Sequence, residues 1–151
     1  MGKACRQMTN KIYVSWEDFH AHAKLLASKI RSSGTDFNRI VAVSRGGLLP
    51  AGLLAYDLDI RNCETINMSS YDGNRMRGDD EIELSAALSG LDARTLIVDD
   101  LSDSGRTFRI LREIYPQAVF ASVYCKEKGK DAVDVFAVEM PDEWIVFPWD
   151  E

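Results

Sequence analysis

Short apolar runs alternate with helical segments along this chain, and that alternation restricts the fold it can adopt. Five runs have the length and composition of strands: Ile40–Ser44, Glu64–Ser69, Thr95–Asp99, Ala118–Tyr124 and Val133–Val138. Three segments are predicted to be helices: Trp16–Ile30, Gly46–Leu58 and Gly105–Ile114. Strands that alternate with helices predict an α/β fold with a mainly parallel, twisted sheet flanked by helices. In such sheets ligands bind beyond the carboxyl ends of the strands.

Length and composition restrict the class of protein. The 151 residues are 46% hydrophobic and 28% charged, which is typical of a globular protein, and we expect a single domain over residues 1–151 with a flexible extension at 1–7. The net charge of −6 argues against nucleic-acid binding, which needs clustered basic residues. No apolar run approaches the ~20 residues of a membrane span. The three cysteines lack CxxC spacing and indicate a reduced, cytoplasmic protein.

The segment Val98–Thr107 (VDDLSDSGRT) carries the strongest chemical signal. A buried strand leads into Asp99 and Asp100, and Asp103 follows three residues later. A glycine and hydroxyl residues then open a helix, whose free amides form a cradle for an anion such as phosphate. Acids beside a phosphate would repel it unless Mg²⁺ bridges them or they bind sugar hydroxyls. A ligand with a phosphate, a ribose and a magnesium-bound pyrophosphate would satisfy both conditions. Alternatively, Asp103 or Ser104 only caps the next helix.

Two further segments are candidates for ligand contacts. The SRGG turn, Ser44–Gly47, follows a predicted strand, and its glycines allow the backbone to approach a ligand closely. Arg45 can bind phosphate oxygens with its forked guanidinium. Residues 70–80 are polar and long for a connection in a compact domain, which predicts a mobile active-site loop. The SRGG turn alone would be read as structural, and it gains weight from occurring together with Val98–Thr107.

These segments resemble a known family. Asp99–Thr107 is similar to the signature of type I phosphoribosyltransferases, which bind phosphoribosyl pyrophosphate (PRPP). The resemblance extends to bacterial xanthine-guanine phosphoribosyltransferases through several other segments: Tyr13–Trp16, Ala42–Arg61, Ser69–Asp72, Arg112–Ala118 and Trp144–Asp150. It departs from that pattern at Arg106, where those enzymes usually have glycine, and over residues 70–90, which align poorly. The resemblance implies the type I phosphoribosyltransferase fold with a small C-terminal base-binding hood, here residues 139–151.

The resemblance also implies roles in PRPP binding. Asp99 and Asp100 would bind Mg²⁺ and the ribose hydroxyls. The residues expected around the phosphates are Arg45, Gly46, Ser104, Gly105, Arg106, Thr107, Ser70 and Tyr71. Arg45 and Gly46 would lie in a pyrophosphate loop where the family often has a cis peptide bond, here Ser44–Arg45. Either Arg75 or Arg77 would contact pyrophosphate.

For the base, the resemblance implies a 6-oxopurine: guanine, xanthine or hypoxanthine. Asp103 would act near N7, and Lys126 would donate to O6, with a side chain that we expect to be only partly buried. Trp144 would stack on the base, and Ile145 and Asp150 would shape its 2-position edge through backbone carbonyls. The predicted activity is purine salvage in a cytoplasmic homo-oligomer. The alternatives are a non-catalytic PRPP or nucleotide sensor, transfer to another base, and a phosphatase-like metal hydrolase.

Overall fold

The computed structural model of the protein describes residues 10–68 and 88–150. The predicted flexible extension at 1–7 and the predicted active-site loop at 70–80 lie outside these residues. In chain order the strands are β1 (Lys11–Tyr13), β2 (Arg39–Ser44), β3 (Cys63–Asn67), β4 (Thr95–Ser102), β5 (Val119–Lys126), β6 (Val135–Met140) and β7 (Trp144–Val146). The α-helices are α1 (Trp16–Ser32), α2 (Leu48–Leu58) and α3 (Arg106–Ile114), and the 3-10 helices are Glu127–Ala132 and Pro148–Asp150.

Five of the strands form one parallel sheet in the order β3-β2-β4-β5-β6. The chain runs outward from β2 to β3 and then returns to place β4 on the other side of β2. The pair β2–β4 is therefore the point at which the strand order reverses. In open α/β sheets the crevice beyond such a pair is the usual ligand site. Strands β1 and β7 form a separate two-stranded parallel sheet.

The sheet is covered on both faces, which is why its central strands are apolar almost throughout. Helix α1 turns Phe19, Leu26 and Ile30 toward one face and packs there together with α2. Helix α3 contributes Phe108 and Leu111 to the core on the opposite face. Among residues 10–68 and 88–150, no helix has the length and apolar character needed to cross a bilayer.

Helix α1 begins with a local capping motif. The backbone N–H of Asp18 donates to Ser15 Oγ at 3.0 Å, and the Asp18 carboxylate accepts from the backbone N–H of Ser15, which completes a capping box. The three predicted helices are present with small shifts at their ends. Helix α2 begins at Leu48, so both glycines of the SRGG turn precede its first residue.

Two of the strands that carry site residues extend beyond their predicted ends. Strand β4 continues to Ser102 because Asp99, Leu101 and Ser102 pair with β5. The first two acids are thus part of the strand, and they do not follow it. Strand β5 continues to Lys126, which the sequence analysis placed just beyond the strand. Both extensions carry functional candidates to the carboxyl edge of the sheet.

Candidate active site

The predicted site residues of three strands converge at the carboxyl edge of the sheet. The SRGG turn follows β2, the three acids lie at the end of β4 or just beyond it, and Lys126 ends β5. The β2–β4 and β4–β5 pairings place these ends side by side. Residues from three distant parts of the chain therefore share one crevice, at the reversal of strand order.

Asp99 and Asp100 form a pair of adjacent, half-buried carboxylates. Burial raises the pKa of Asp99 well above its usual range, and the neighbouring Asp100 charge raises it further. Burial also raises the pKa of Asp100, against the lowering effect of its hydrogen bonds. Each carboxylate accepts one backbone hydrogen bond. The Asp100 N–H donates to Asp99 Oδ1 at 2.8 Å, and the Leu101 N–H donates to Asp100 Oδ1 at 2.7 Å. Two adjacent buried acids cost stability that a bound cation would offset.

The segment after β4 has the form of an anion cradle. Gly105 precedes α3 with a φ of 89°, a left-handed conformation that strongly favours glycine. Ser104 Oγ accepts from the backbone N–H of Arg106 at 3.2 Å. The N-cap residue is Gly105, so neither Asp103 nor Ser104 is the N-cap of α3, although Ser104 does accept from its first backbone N–H. Asp103 and Ser104 are both solvent-exposed at the mouth of a small pocket that Thr107 also lines.

The glycines of the SRGG turn are required by the packing of β2 against β4. A Cβ on Gly47 would lie 2.2 Å from the Val98 carbonyl oxygen, and a Cβ on Gly46 would lie 2.7 Å from Asp100 Oδ1. The turn is therefore seated on the end of β4, beside the acidic pair. The peptide bond between Ser44 and Arg45 is cis, as the family resemblance predicts. The Arg45 residue itself is exposed to solvent.

Lys126 is buried, so the expectation of only partial burial is wrong. Its side chain is 7% exposed, because β5 carries it to the last ladder position, opposite Met140 of β6. The ammonium lies 3.5 Å from Asp103 Oδ1 and 3.8 Å from Asp142 Oδ1. Lys126 is thus far less exposed than Lys128, with which it shares Asp142, and it lies next to a second candidate residue, Asp103.

The C-terminal segment forms the β1–β7 sheet and a short 3-10 helix. Trp144 is 63% exposed, which excludes a role as a core aromatic. Ile145 packs its side chain into the core, so only its backbone is available to a ligand. Asp150 Oδ2 accepts from the backbone N–H of Phe147 at 2.8 Å and closes the final turn. The Asp150 charge also contributes to the raised pKa of Asp100, which places this turn near the acidic pair.

The sequence analysis missed the contact between the phosphate cradle and the 3-10 helix after β5. Arg109 of α3 donates from Nη1 to the Ser104 carbonyl at 2.7 Å and pairs through Nη2 with Asp131. Gly129 fits tightly beneath the cradle, where a Cβ would lie 2.5 Å from the Ser102 carbonyl oxygen. A lone arginine on the exposed face of a helix gives no sequence signal of such a contact.

Other candidates do not join the site. Over residues 10–68 and 88–150, no three His, Cys, Asp or Glu side chains cluster as a metal site. His20 is exposed, and His22 Nδ1 lies 2.8 Å from the Tyr124 hydroxyl within the fold. The predicted loop residues Ser70, Tyr71, Arg75 and Arg77 lie outside the described residues.

Comparison with known proteins identifies relatives along most of the chain. Residues 10–151 match the phosphoribosyl transferase domain. A xanthine-guanine phosphoribosyltransferase of Cereibacter sphaeroides is 40% identical over 143 residues, covering 91% of this chain and 86% of the relative. A purine phosphoribosyltransferase structure from Pyrococcus horikoshii superposes with a TM-score of 0.77 at 28% identity, covering 95% of both chains. The xanthine-guanine-hypoxanthine phosphoribosyltransferase of Helicobacter pylori gives 0.75 at 26% identity, covering 93% and 94%.

Proposed function

The chain belongs to the phosphoribosyl transferase domain family, and from that premise we propose that it transfers the 5-phosphoribosyl group of PRPP to a 6-oxopurine. The products are a purine nucleoside 5′-monophosphate and pyrophosphate. The observation that carries the choice of base is the buried Lys126 ammonium, 3.5 Å from Asp103 at the edge of the phosphate cradle. Two relatives support this choice of base, because xanthine and guanine are part of their names.

The protein would recognise the purine by hydrogen bonds along one edge of the base. Guanine presents O6 as an acceptor, and its neighbour N7 carries a proton in the tautomer whose N9 is free to react. Lys126 has three donors and no acceptor, so it can donate to O6 but would oppose the amino group of adenine. Asp103, which lies 3.5 Å from Lys126, would take the proton that the base loses at N7. The exposed indole of Trp144 offers a face for stacking, and the Ile145 and Asp150 carbonyls would border the 2-position.

PRPP would lie across the reversal of strand order. The backbone of Ser104, Gly105, Arg106 and Thr107 would hold the 5′-phosphate at the start of α3. Arg45 and Gly46 would bind pyrophosphate on the β2 side. A base nitrogen then attacks C1 of the ribose as the C1–oxygen bond to pyrophosphate breaks, and the bonding electrons leave with pyrophosphate. The cationic character that develops at C1 requires a site that excludes water.

The donor set at the acidic pair fits Mg²⁺. Asp99 and Asp100 offer hard oxygen ligands, and burial raises the pKa of both carboxyls, an effect that a bound cation would oppose. A magnesium ion held there, when bound, supplies neutralisation of the pyrophosphate leaving group. The same carboxylates would orient the ribose hydroxyls. Two carboxylates leave most positions around the ion to substrate oxygens and water, as is usual for this metal.

Product analysis tests the proposal and separates it from its alternatives. The purified protein is incubated with PRPP and guanine, with Mg²⁺ or with excess chelator, and nucleotide and pyrophosphate are measured. We expect equal amounts of GMP and pyrophosphate, formed only when PRPP, base and metal are all present. Phosphate or pyrophosphate released without a base would instead indicate a hydrolase. Binding of PRPP without any turnover would indicate a nucleotide sensor.

We also propose that the protein works as a cytoplasmic homo-oligomer. Helix α2 leaves an apolar surface made by Leu48, Leu49 and Tyr56, and the last of these is 89% exposed. Contiguous apolar surface of this kind marks interaction sites. Both cysteines in the described residues, Cys63 and Cys125, are free thiols, which suits a reducing compartment. Light scattering of the unmodified protein and of Tyr56→Lys tests assembly: we expect an oligomer that the substitution weakens.

A further inference from the structure

Arg109 connects two segments that the proposed reaction uses for different parts of its substrates. Its Nη1 donates to the Ser104 carbonyl at 2.7 Å, within the phosphate cradle. Its Nη2 donates to the Lys128 carbonyl at 3.3 Å and pairs with Asp131 Oδ1 at 2.5 Å, both in the 3-10 helix Glu127–Ala132. That helix begins immediately after Lys126. One guanidinium therefore joins the phosphate cradle to the segment that carries the proposed O6 donor.

The geometry allows little freedom at this junction. The guanidinium lies against Gly105, where a Cβ would meet Arg109 Nη1 at 2.9 Å. A second contact lies beneath it, because the buried Ser102 hydroxyl donates to the Gly129 carbonyl at 2.9 Å. The inner contact fixes the end of β4 against the 3-10 helix. The Arg109 contacts extend that attachment outward to Ser104, whose carbonyl is otherwise at the exposed end of the cradle.

We propose that Arg109 is a positioning residue that holds the 5′-phosphate cradle and the Lys126 strand end in one arrangement, so that the phosphate and the base of a nucleotide bind together. This inference rests on the proposed function. Arg109 does not touch the reacting atoms. It orders the Ser104–Thr107 backbone before the phosphate arrives, and it keeps the 3-10 helix from moving Lys126 away from the purine edge. Preorganisation of this kind strengthens binding by lowering the ordering cost.

The Arg109 contacts should contribute little to the stability of the fold. The side chains of Arg109 and Asp131 are 48% and 79% exposed, and exposed ion pairs contribute little to stability. The effect of the contact should therefore appear in ligand binding more than in the melting temperature. Arg94 provides a matched control: it is 50% exposed, donates to the Asp36 carbonyl and pairs with the Asp36 carboxylate, all at the opposite edge of the sheet.

The test compares Arg109→Met with Arg94→Met by calorimetric titration. GMP carries both the 5′-phosphate and the base, and we expect its Kd to rise about tenfold in Arg109→Met, or about 1.4 kcal/mol. Pyrophosphate with Mg²⁺ binds on the β2 side, and its Kd should stay within twofold. Arg94→Met should bind both ligands like the unmodified protein. Equal GMP binding by the two variants, or weakening of GMP and pyrophosphate alike, would overturn the proposal.

Asp131→Asn supplies a second variant that keeps the arginine. It should weaken GMP binding about threefold, and the double variant with Arg109→Met should bind no worse than Arg109→Met alone, because the two residues act as one contact. Effects that multiply in the double variant would refute a shared role. Turnover with guanine, measured on the same samples, keeps the two proposals separate. An unmodified protein that binds GMP but makes none fails the proposed function, while the titrations still decide the role of Arg109.

Discussion

Replacing Lys126 by methionine removes the proposed O6 donor and preserves most of the volume of a side chain that is only 7% exposed. A hydrogen bond from a charged group contributes about 1.5–3 kcal/mol. The ammonium also lies 3.5 Å from Asp103, so its loss removes the ion pair that would hold this carboxylate at the proposed N7 position. Together these effects should lower kcat/KM for guanine by about 10²–10³-fold, or ~3–4 kcal/mol.

The control is Lys130→Met, in the 3-10 helix that follows. Lys130 also lies near two carboxylates, Glu127 at 3.4 Å and Glu139 at 3.0 Å, yet it is 41% exposed and its partners are not those of Lys126. Steady-state kinetics should show near-normal values for Lys130→Met. For Lys126→Met, the affinity for PRPP should change less than threefold, since the phosphate cradle is intact. A Lys126→Met enzyme with normal kcat/KM for guanine would refute the assignment of Lys126 to O6.

Three further substitutions test other parts of the site. Asp103→Asn should lower kcat by ~10²–10⁴-fold with little change in PRPP binding, because an amide cannot accept the base proton; a normal kcat would remove Asp103 from the mechanism. Asp99→Asn should lower turnover by ~10²-fold or more. It should also raise the Tm of the ligand-free protein, since it removes a carboxyl group whose pKa is raised by burial. An unchanged or lower Tm would contradict this reading. Gly47→Ala should destabilise the fold by about 3 kcal/mol, because its Cβ would meet the Val98 carbonyl at 2.2 Å. A Cβ on Gly52 has no atom within 4 Å, so Gly52→Ala should be neutral or slightly stabilising. Denaturant titrations measure both.

Periodicity and end signals in the sequence were sufficient to predict the main sheet, its helices and the edge at which the site lies. The Ser15 capping box and the glycine before α3 are local features, so local sequence predicts them. The pairing of β1 with β7 could not be predicted, because each is three residues long and the two lie at opposite ends of the described chain. Strands so short have no measurable alternation.

The candidate site was likewise predictable only where it depends on local sequence. Acids after an apolar run, with glycine and hydroxyl residues behind them, predicted the phosphate cradle. The burial of Lys126 was not predictable, since Glu127, Lys128 and Lys130 follow it and such runs are usually solvated. Its burial depends on β5 lying between β4 and β6, which is a property of topology. The Arg109 contacts depend in the same way on α3 and the 3-10 helix meeting in space.

The central claim is that this protein makes a nucleotide from PRPP and a 6-oxopurine while it rejects adenine. The most direct test is kcat/KM for guanine, xanthine, hypoxanthine and adenine, measured with saturating PRPP and Mg²⁺. The buried ammonium donates a hydrogen bond, and the amino group of adenine is also a donor, so the two would oppose each other. Mismatches of this kind can lower kcat/KM by 10⁴–10⁵-fold as a rough ceiling. We predict that at least one 6-oxopurine reacts with kcat/KM about 10²–10³-fold above that of adenine or more. Comparable values for adenine and the best 6-oxopurine would contradict the account.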